Sequence, residues 1–396
     1  MSTISTIFGP PIITISNLGV SSFTVQYSSI GASSYFYNVA NITSTTRVST
    51  ATFSSLTRGS TYVITVAAIS SGSTYLSTII SATTLAITTL AGSGTNSTIA
   101  GTGTNASFGS PVNLVTFSTN TNSDIYVTDW ATGYIRKVTV AGVVTNFAGN
   151  STMGYADGIS SVAKFYSPSG LAIFKSTLYI TDGNQGYIRQ MSMSTNIVST
   201  LAGKGPSGDI DGTGTNAGFA GPLNIVRDST GNLYVTQYSN GGPLRRITPA
   251  GVVSTAVAGS AGNLSRGITI DSANNIYYNI VNASNVLSTL YRYSAGVLST
   301  VILTAPSTIG YVTGLCITNN NSTIFAADVF NHVIWRIIVG TGQATIFAGN
   351  YGTSGFSEGS LSTARFNQPQ GVALSNDNTI LYVSEGANNR IRSIYL

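Results

Sequence analysis

The chain has 396 residues, a formal net charge of +5 and only 7% charged residues, where an ordinary soluble domain carries roughly 25%. That length supports two domains with filled cores, and so diffuse a positive charge excludes a dedicated nucleic-acid groove. One cysteine, Cys316, excludes an intrachain disulfide, and no run of about 18 apolar residues offers a membrane-spanning helix.

Residues 1–85 hold no acid and only Arg47 and Arg58, so the composition shift near residue 86 marks a domain boundary. Alternating runs such as Ile12-Ile13-Thr14-Ile15, Phe23-Thr24-Val25-Gln26-Tyr27 and Tyr62-Val63-Ile64-Thr65-Val66 predict short strands of a β-sandwich. Leu56-Thr57-Arg58-Gly59-Ser60-Thr61-Tyr62 resembles the L-x-P-G-T-x-Y turn of fibronectin type III domains, with Arg58 where Pro is usual and Tyr27 where a core Trp is usual. The resemblance implies an Ig- or fibronectin III-like sandwich over residues 1–85, used as a spacer, docking module or assembly contact. Residues 1–10 carry neither a basic region nor a long apolar core, so no classical signal peptide is expected.

From residue 86 onward a pattern close to A-x-F-x-x-P-x-G, an apolar run, L-Y-V-T-D, I-R-x-I and V-x-T-x-A-G recurs. Ala163, Phe165, Pro168, Gly170, Leu178-Tyr179-Ile180-Thr181-Asp182 and Ile188-Arg189 form one full copy. Aligned on the tyrosine-bearing strand there are six: Ile125-Tyr126-Val127, Leu178-Tyr179-Ile180, Leu233-Tyr234-Val235, Ile276-Tyr277-Tyr278, Ile324-Phe325-Ala326 and Leu381-Tyr382-Val383. Four strand-like runs per copy at this period are the signature of a β-propeller of six blades. The last copy stops after its third strand, while an orphan fourth-strand run, residues 86–92, precedes the first. The orphan is expected to complete the final blade, because closing the ring removes unpaired strand edges.

The strand ending in Asp, the Asn- and Gly-rich turn and the Ile-Arg pair resemble the NHL-repeat family. Asp129 with Ile135-Arg136, Asp182 with Ile188-Arg189 and Glu385 with Ile391-Arg392 match well; the third copy has Gln237, the fourth Asn279 and Tyr291-Arg292, and the fifth Asp328 with Trp335-Arg336. The resemblance implies an all-β chain with a six-bladed NHL-type propeller over residues 86–396. RNA binding, known for some NHL propellers, is a minor alternative here. The only adjacent bases, Arg136-Lys137 and Arg245-Arg246, fall in third strands.

Catalytic chemistry is hard to place. Enzymatic propellers of this shape, such as lactonases and the amidating lyase, use His and carboxylates around a central metal, whereas this chain has one histidine, His332, in a turn without partners at metal spacing. Asp129, Asp182, Asp328 and Glu385 recur at one position and could form an acid ring for calcium. However, Arg136, Arg189 and Arg392 follow Asp129, Asp182 and Glu385 seven residues later, so the pairs are expected to be structural ion pairs, and no metal or cofactor is expected. Asp157, Asp211 and Glu358, each before a Gly between blades, are expected to be structural too.

Loops joining fourth to first strands share a face with loops joining second to third strands. The connections 93–110, 150–167, 204–221 and 350–368 are long, while those before blades four and five are short. Recognition concentrates in such loops. Trp130, Tyr155, Tyr166, Tyr238, Phe330, Tyr351 and Phe356 are the candidate rim residues, with no more than half expected to face solvent. The reading is a non-enzymatic structural or binding protein of a virion or extracellular surface. Its partners would be other proteins of a particle or surface assembly, or glycans, with homo-oligomerisation open; the uncharged Ser-, Thr-, Asn- and Tyr-rich style resembles NHL proteins of large DNA viruses. A lactonase-like hydrolase or lyase is the alternative.

Overall fold

The computed structural model describes strand residues 12–16, 23–28, 34–39, 42–46, 50–53, 61–70 and 73–83, and residues 87–396 apart from 119–122, 239–240 and 283–287. Two compact units emerge: Met1–Thr88 with Glu358–Thr363 and Tyr395, and the remainder. In the first unit, seven antiparallel strands form two sheets. One runs Ile12–Ser16, Phe23–Ser28, Thr50–Phe53; the other runs Ile42–Thr46, Ser34–Val39, Thr61–Ser70, Ser73–Thr83. The 56–60 portion of the fibronectin-like turn and the side chains of Tyr27 and Tyr62 lie outside the described residues.

The second unit is a six-bladed propeller. The innermost strands are Pro111–Ser118, Pro168–Phe174, Pro222–Arg227, Asn263–Ile270, Val312–Ile317 and Pro369–Leu374; each touches the next, and the last touches the first. Each blade is an antiparallel meander, and the sixth takes its outermost strand from Ile87–Ala91, as the orphan run implies. The core lies between blades. Tyr126, Ile135 and Ala148 of blade one pack with Leu171, Leu178 and Ile180 of blade two, and Phe165 from the connecting loop fills the same layer. Such strands are apolar on both faces because each blade is covered by two neighbours.

Two recurrent devices lock neighbouring blades. The Thr of the L-Y-V-T-D run reaches across the junction: Thr128 Oγ1 donates to Ser169 O at 2.8 Å, Thr181 Oγ1 to Leu223 O at 2.6 Å and Thr236 Oγ1 to Arg266 O at 2.6 Å. Ser384 does the same to Val112 O at 3.0 Å and so ties blade six to blade one. Thr181 Oγ1 also accepts from Gly170 N, so Thr181→Val orphans two buried backbone groups. It is expected to cost about 2 kcal/mol in urea unfolding, since each unmade buried hydrogen bond costs about 1–3 kcal/mol.

The second device is a bulge. In all six blades the register of the innermost strand shifts near its start, as between Pro168 and Leu171 or Val312 and Gly314. A bulge turns a side chain away from the pleat. One residue per blade, namely Val112, Ser169, Leu223, Arg266, Thr313 and Gln370, thereby lines the central channel.

Candidate functional site

Four fully buried arginines on third strands organise the loop face, and their main partners are loop carbonyls. Arg136 donates to Ser107 O (3.0 Å) and Ile99 O (3.2 Å), and Arg189 to Lys164 O (3.0 Å) and Ala156 O (2.8 Å). Arg245 holds Gly218 O and Ile210 O, and Arg392 holds Arg365 O and Ser357 O. Each guanidinium also lies against a buried Phe of the same loop, Phe108, Phe165, Phe219 or Phe366. Every long connection has one such arginine. Where the connections are short, the third strands carry Tyr291 and Trp335 instead.

The recurrent acids stand beside this clamp. Asp129 Oδ2 lies 3.5 Å from Arg136, Asp182 Oδ2 3.9 Å from Arg189 and Glu385 Oε2 3.2 Å from Arg392, every side chain fully buried. The acids mainly accept from the backbone entering the innermost strand: Gly109 and Ser110 N–H for Asp129, Tyr166 and Ser167 N–H for Asp182, Asn367 N–H for Glu385. In blade three Gln237 accepts from Ala220 N–H in the same way, and in blade five Asp328 accepts from Gly310 N–H and Trp335 Nε1. Burial raises the pKa of Asp129, Asp182 and Glu385 above the ordinary carboxylate range despite the nearby guanidinium. The inter-blade acids join the clamp as well, Asp157 pairing with Arg189, and Asp211 with Arg245 at 2.8 Å.

All seven rim aromatics have exposed rings, more than the half expected from sequence, from Tyr351 at 36% to Phe330 at 67%. They divide by surroundings. Tyr155 stacks on Tyr187 and Phe356 lies over Arg390 and Arg392, beside the clamp arginines, while Tyr351 hydroxyl donates to Thr308 O in the short connection before blade five. Trp130 and Tyr238 stand over the mouth of the channel. Tyr166 and Phe330 make no ring contact among the described residues.

The channel mouth is a cavity of about 510 Å³. Its floor comes from two departures from the repeat, Asn113 and Asn224, which replace the glycine of P-x-G. Asn113 Nδ2 donates to Asn224 Oδ1 at 2.8 Å, and Asn224 Nδ2 donates to Arg266 O and Thr313 O. This amide bridge spans the channel from blade one to blades four and five, so the mouth is blind and a second cavity lies beneath it against Leu171, Ile225 and Ile317. Among the described residues no Asp or Glu lines the upper cavity, and the one charged residue lining it is Arg266.

Other candidates are placed as follows. His332 takes the left-handed turn position (φ +59°) that Gly133, Gly186 and Asn389 take in other blades, and its Nδ1 accepts from Gln368 N at 3.1 Å. Burial lowers its pKa. Cys316 keeps some exposed area, yet burial pushes its thiol pKa up, which leaves it protonated at neutral pH. Among the described residues no three His, Cys, Asp or Glu side chains converge as metal ligands. Of the adjacent bases, Arg136 and Arg245 are fully buried, Lys137 pairs with Asp124 at 2.8 Å and Arg246 donates to Asn232 Oδ1 at 3.0 Å.

Sequence reading did not anticipate the arginine–carbonyl clamp, the threonine locks or Arg266. The coincidence of a third-strand Arg with a long preceding connection was a usable signal for the first. No family model matches the chain. It is 22% identical over 302 residues to human NHL repeat-containing protein 2, a match covering 62% of this chain and 41% of that protein, so the chain spans less than half of that relative. Among solved structures, an auxiliary nutrient binding protein from Bacteroides thetaiotaomicron superposes with a TM-score of 0.62 at 15% identity, covering 97% of each chain. A gluconolactonase from Xanthomonas campestris superposes with a TM-score of 0.51 at 11% identity, covering 72% of this chain and 86% of its own. These likenesses support a six-bladed propeller of NHL type.

Proposed function

We propose that the chain is a non-enzymatic interaction scaffold of a virion or extracellular surface, whose loop face takes up a partner protein or glycan of that assembly. The observation that carries this reading is the rim itself. Four of the exposed aromatics, Tyr155, Tyr166, Tyr351 and Phe356, stand on loops whose backbone is held by buried arginines, and Trp130, Tyr238 and Phe330 stand on short turns of the same face, so a binding surface is presented at low ordering cost. The donor set of the channel points the same way: an arginine with no carboxylate or histidine suits neither a hard cation nor metal-assisted hydrolysis. The adjacent bases Arg136-Lys137 and Arg245-Arg246 are buried or partnered, which leaves no basic cluster there for RNA. Residues 1–85 are read as a fibronectin III-like module, a reading supported by the two-sheet strand order with three and four strands.

The test uses the full chain and a Trp130→Ser/Tyr166→Ser/Phe330→Ser variant, chosen because these side chains are exposed. The wild type is expected to co-fractionate with particles or envelopes of its source. The variant should keep its thermal midpoint and lose at least tenfold of that retention. Equal retention of the two proteins would sink the reading, as would metal-stimulated lactone hydrolysis above background.

A further inference from the structure

We infer that the blind cavity at the propeller mouth is a binding site for a small organic monocarboxylate with a ring-sized body, and that Arg266 is its anchor. The inference deepens the binding reading of the loop face and rests on it. Arg266 occupies the bulge position of blade four, where the other blades carry Val112, Ser169, Leu223, Thr313 and Gln370. Its guanidinium carbon lies 4.5 Å from the centre of the Tyr311 ring. Among the described residues it donates to no acceptor and pairs with no acid, and its Nε is buried without a partner. Arg136, Arg189, Arg245 and Arg392 share the partnerless Nε, but their terminal nitrogens are committed to loop carbonyls, and it is the free terminal nitrogens that set Arg266 apart. An uncommitted, partly desolvated guanidinium is an expensive group to keep, and a planar carboxylate is the ligand that matches its fork.

The rest of the lining sets the ligand class. No acid competes for the charge, and the cavity also holds the Trp130 indole, the Tyr311 hydroxyl and the Gln370 amide, none with a side-chain hydrogen bond among the described residues. One positive charge fits one negative charge better than a phosphate dianion, which would call for a second base. Trp130, Tyr238 and Tyr311, with Val112 and Leu223, offer flat and apolar walls to the body of the ligand. A volume near 510 Å³ is ample for a single ring with substituents, and the Asn113–Asn224 floor stops it from passing through.

The experiment titrates the full chain with benzoate and D-glucuronate, their neutral counterparts benzamide and D-glucose, and inorganic phosphate. Isothermal calorimetry is the main readout, with ¹⁵N NMR of the Arg266 Nε–H. At least one carboxylate is expected to bind and to shift that resonance, with its neutral counterpart at least tenfold weaker. Arg266→Gln should weaken the carboxylate at least tenfold with an unchanged thermal midpoint, and Arg266→Lys should fall between. Binding by neither carboxylate, tighter binding of phosphate, or carboxylate affinity unaltered in both variants would overturn the inference. The Trp130→Ser/Tyr166→Ser/Phe330→Ser particle assay is read separately. Failed titration with intact rim-dependent retention removes only the carboxylate site, whereas intact titration with equal retention of wild type and variant removes only the scaffold reading.

Discussion

Arg189→Ala is expected to destabilise the propeller by about 3–5 kcal/mol, because truncation leaves a buried carboxylate uncompensated and strips loop carbonyls of their donors. In urea unfolding this appears as a lower midpoint, and limited proteolysis should open first within residues 150–167. The cause is not chiefly Coulombic. Arg189 stands 3.9 Å from Asp182 but 3.0 Å from Lys164 O and 2.8 Å from Ala156 O, its close pair with Asp157 is screened by solvent because that carboxylate is 42% exposed, and burial holds Asp182 above the usual carboxylate range. The chain contains the control: blade four carries the uncharged Ile280 and Tyr291 at the equivalent positions and has a short preceding connection. Asp182→Asn/Arg189→Leu, which removes the two buried charges and leaves only the partly exposed Asp157, should therefore recover about 1–2 kcal/mol of the loss while leaving the 150–167 loop sensitive to protease. If the double variant is no more stable than the single one, the uncompensated carboxylate contributes nothing and the clamp is purely a matter of carbonyls.

How much of this was readable in the sequence depends on whether a residue is fixed by the repeat or free of it. The blade count, the closing strand Ile87–Ala91 and the positions of Asp129, Asp182 and Glu385 all recur, so a single chain supplies its own comparison. What Arg136 and Arg392 touch does not recur as a residue type, because their partners are backbone carbonyls 27 to 37 residues upstream, and any side chain can stand there. The Thr of L-Y-V-T-D was visible in the pattern, but its role appears only when the next blade is in place. Arg266 is the extreme case. It occupies the variable position of P-x-G, which no pattern can flag, and only the bulge reveals that this position faces the channel. Architecture lies in the constant positions of a propeller repeat, and its chemistry lies in the variable ones.

Gly170→Ala tests the constant side of that division, with an expected loss of about 2–3 kcal/mol, the range typical of forced overpacking. A Cβ at Gly170 would come 2.5 Å from Leu223 O and 2.7 Å from Asn224 Cα, and both are backbone, so neither can swing aside. The φ of Gly170 is not in the left-handed region, so the penalty comes from the close approach of blades two and three rather than from backbone preference. Gly340→Ala is the matched control, since its Cβ would meet open space and its φ is equally ordinary; it should change stability by less than about 0.5 kcal/mol, or raise it slightly by stiffening the unfolded chain. Equal effects of the two substitutions in urea unfolding would show that the P-x-G glycine is not a spacing device. A large effect at Gly170 alone would explain why the position tolerates Asn only in blades one and three, where Asn113 and Asn224 send their amides across the channel and close its floor.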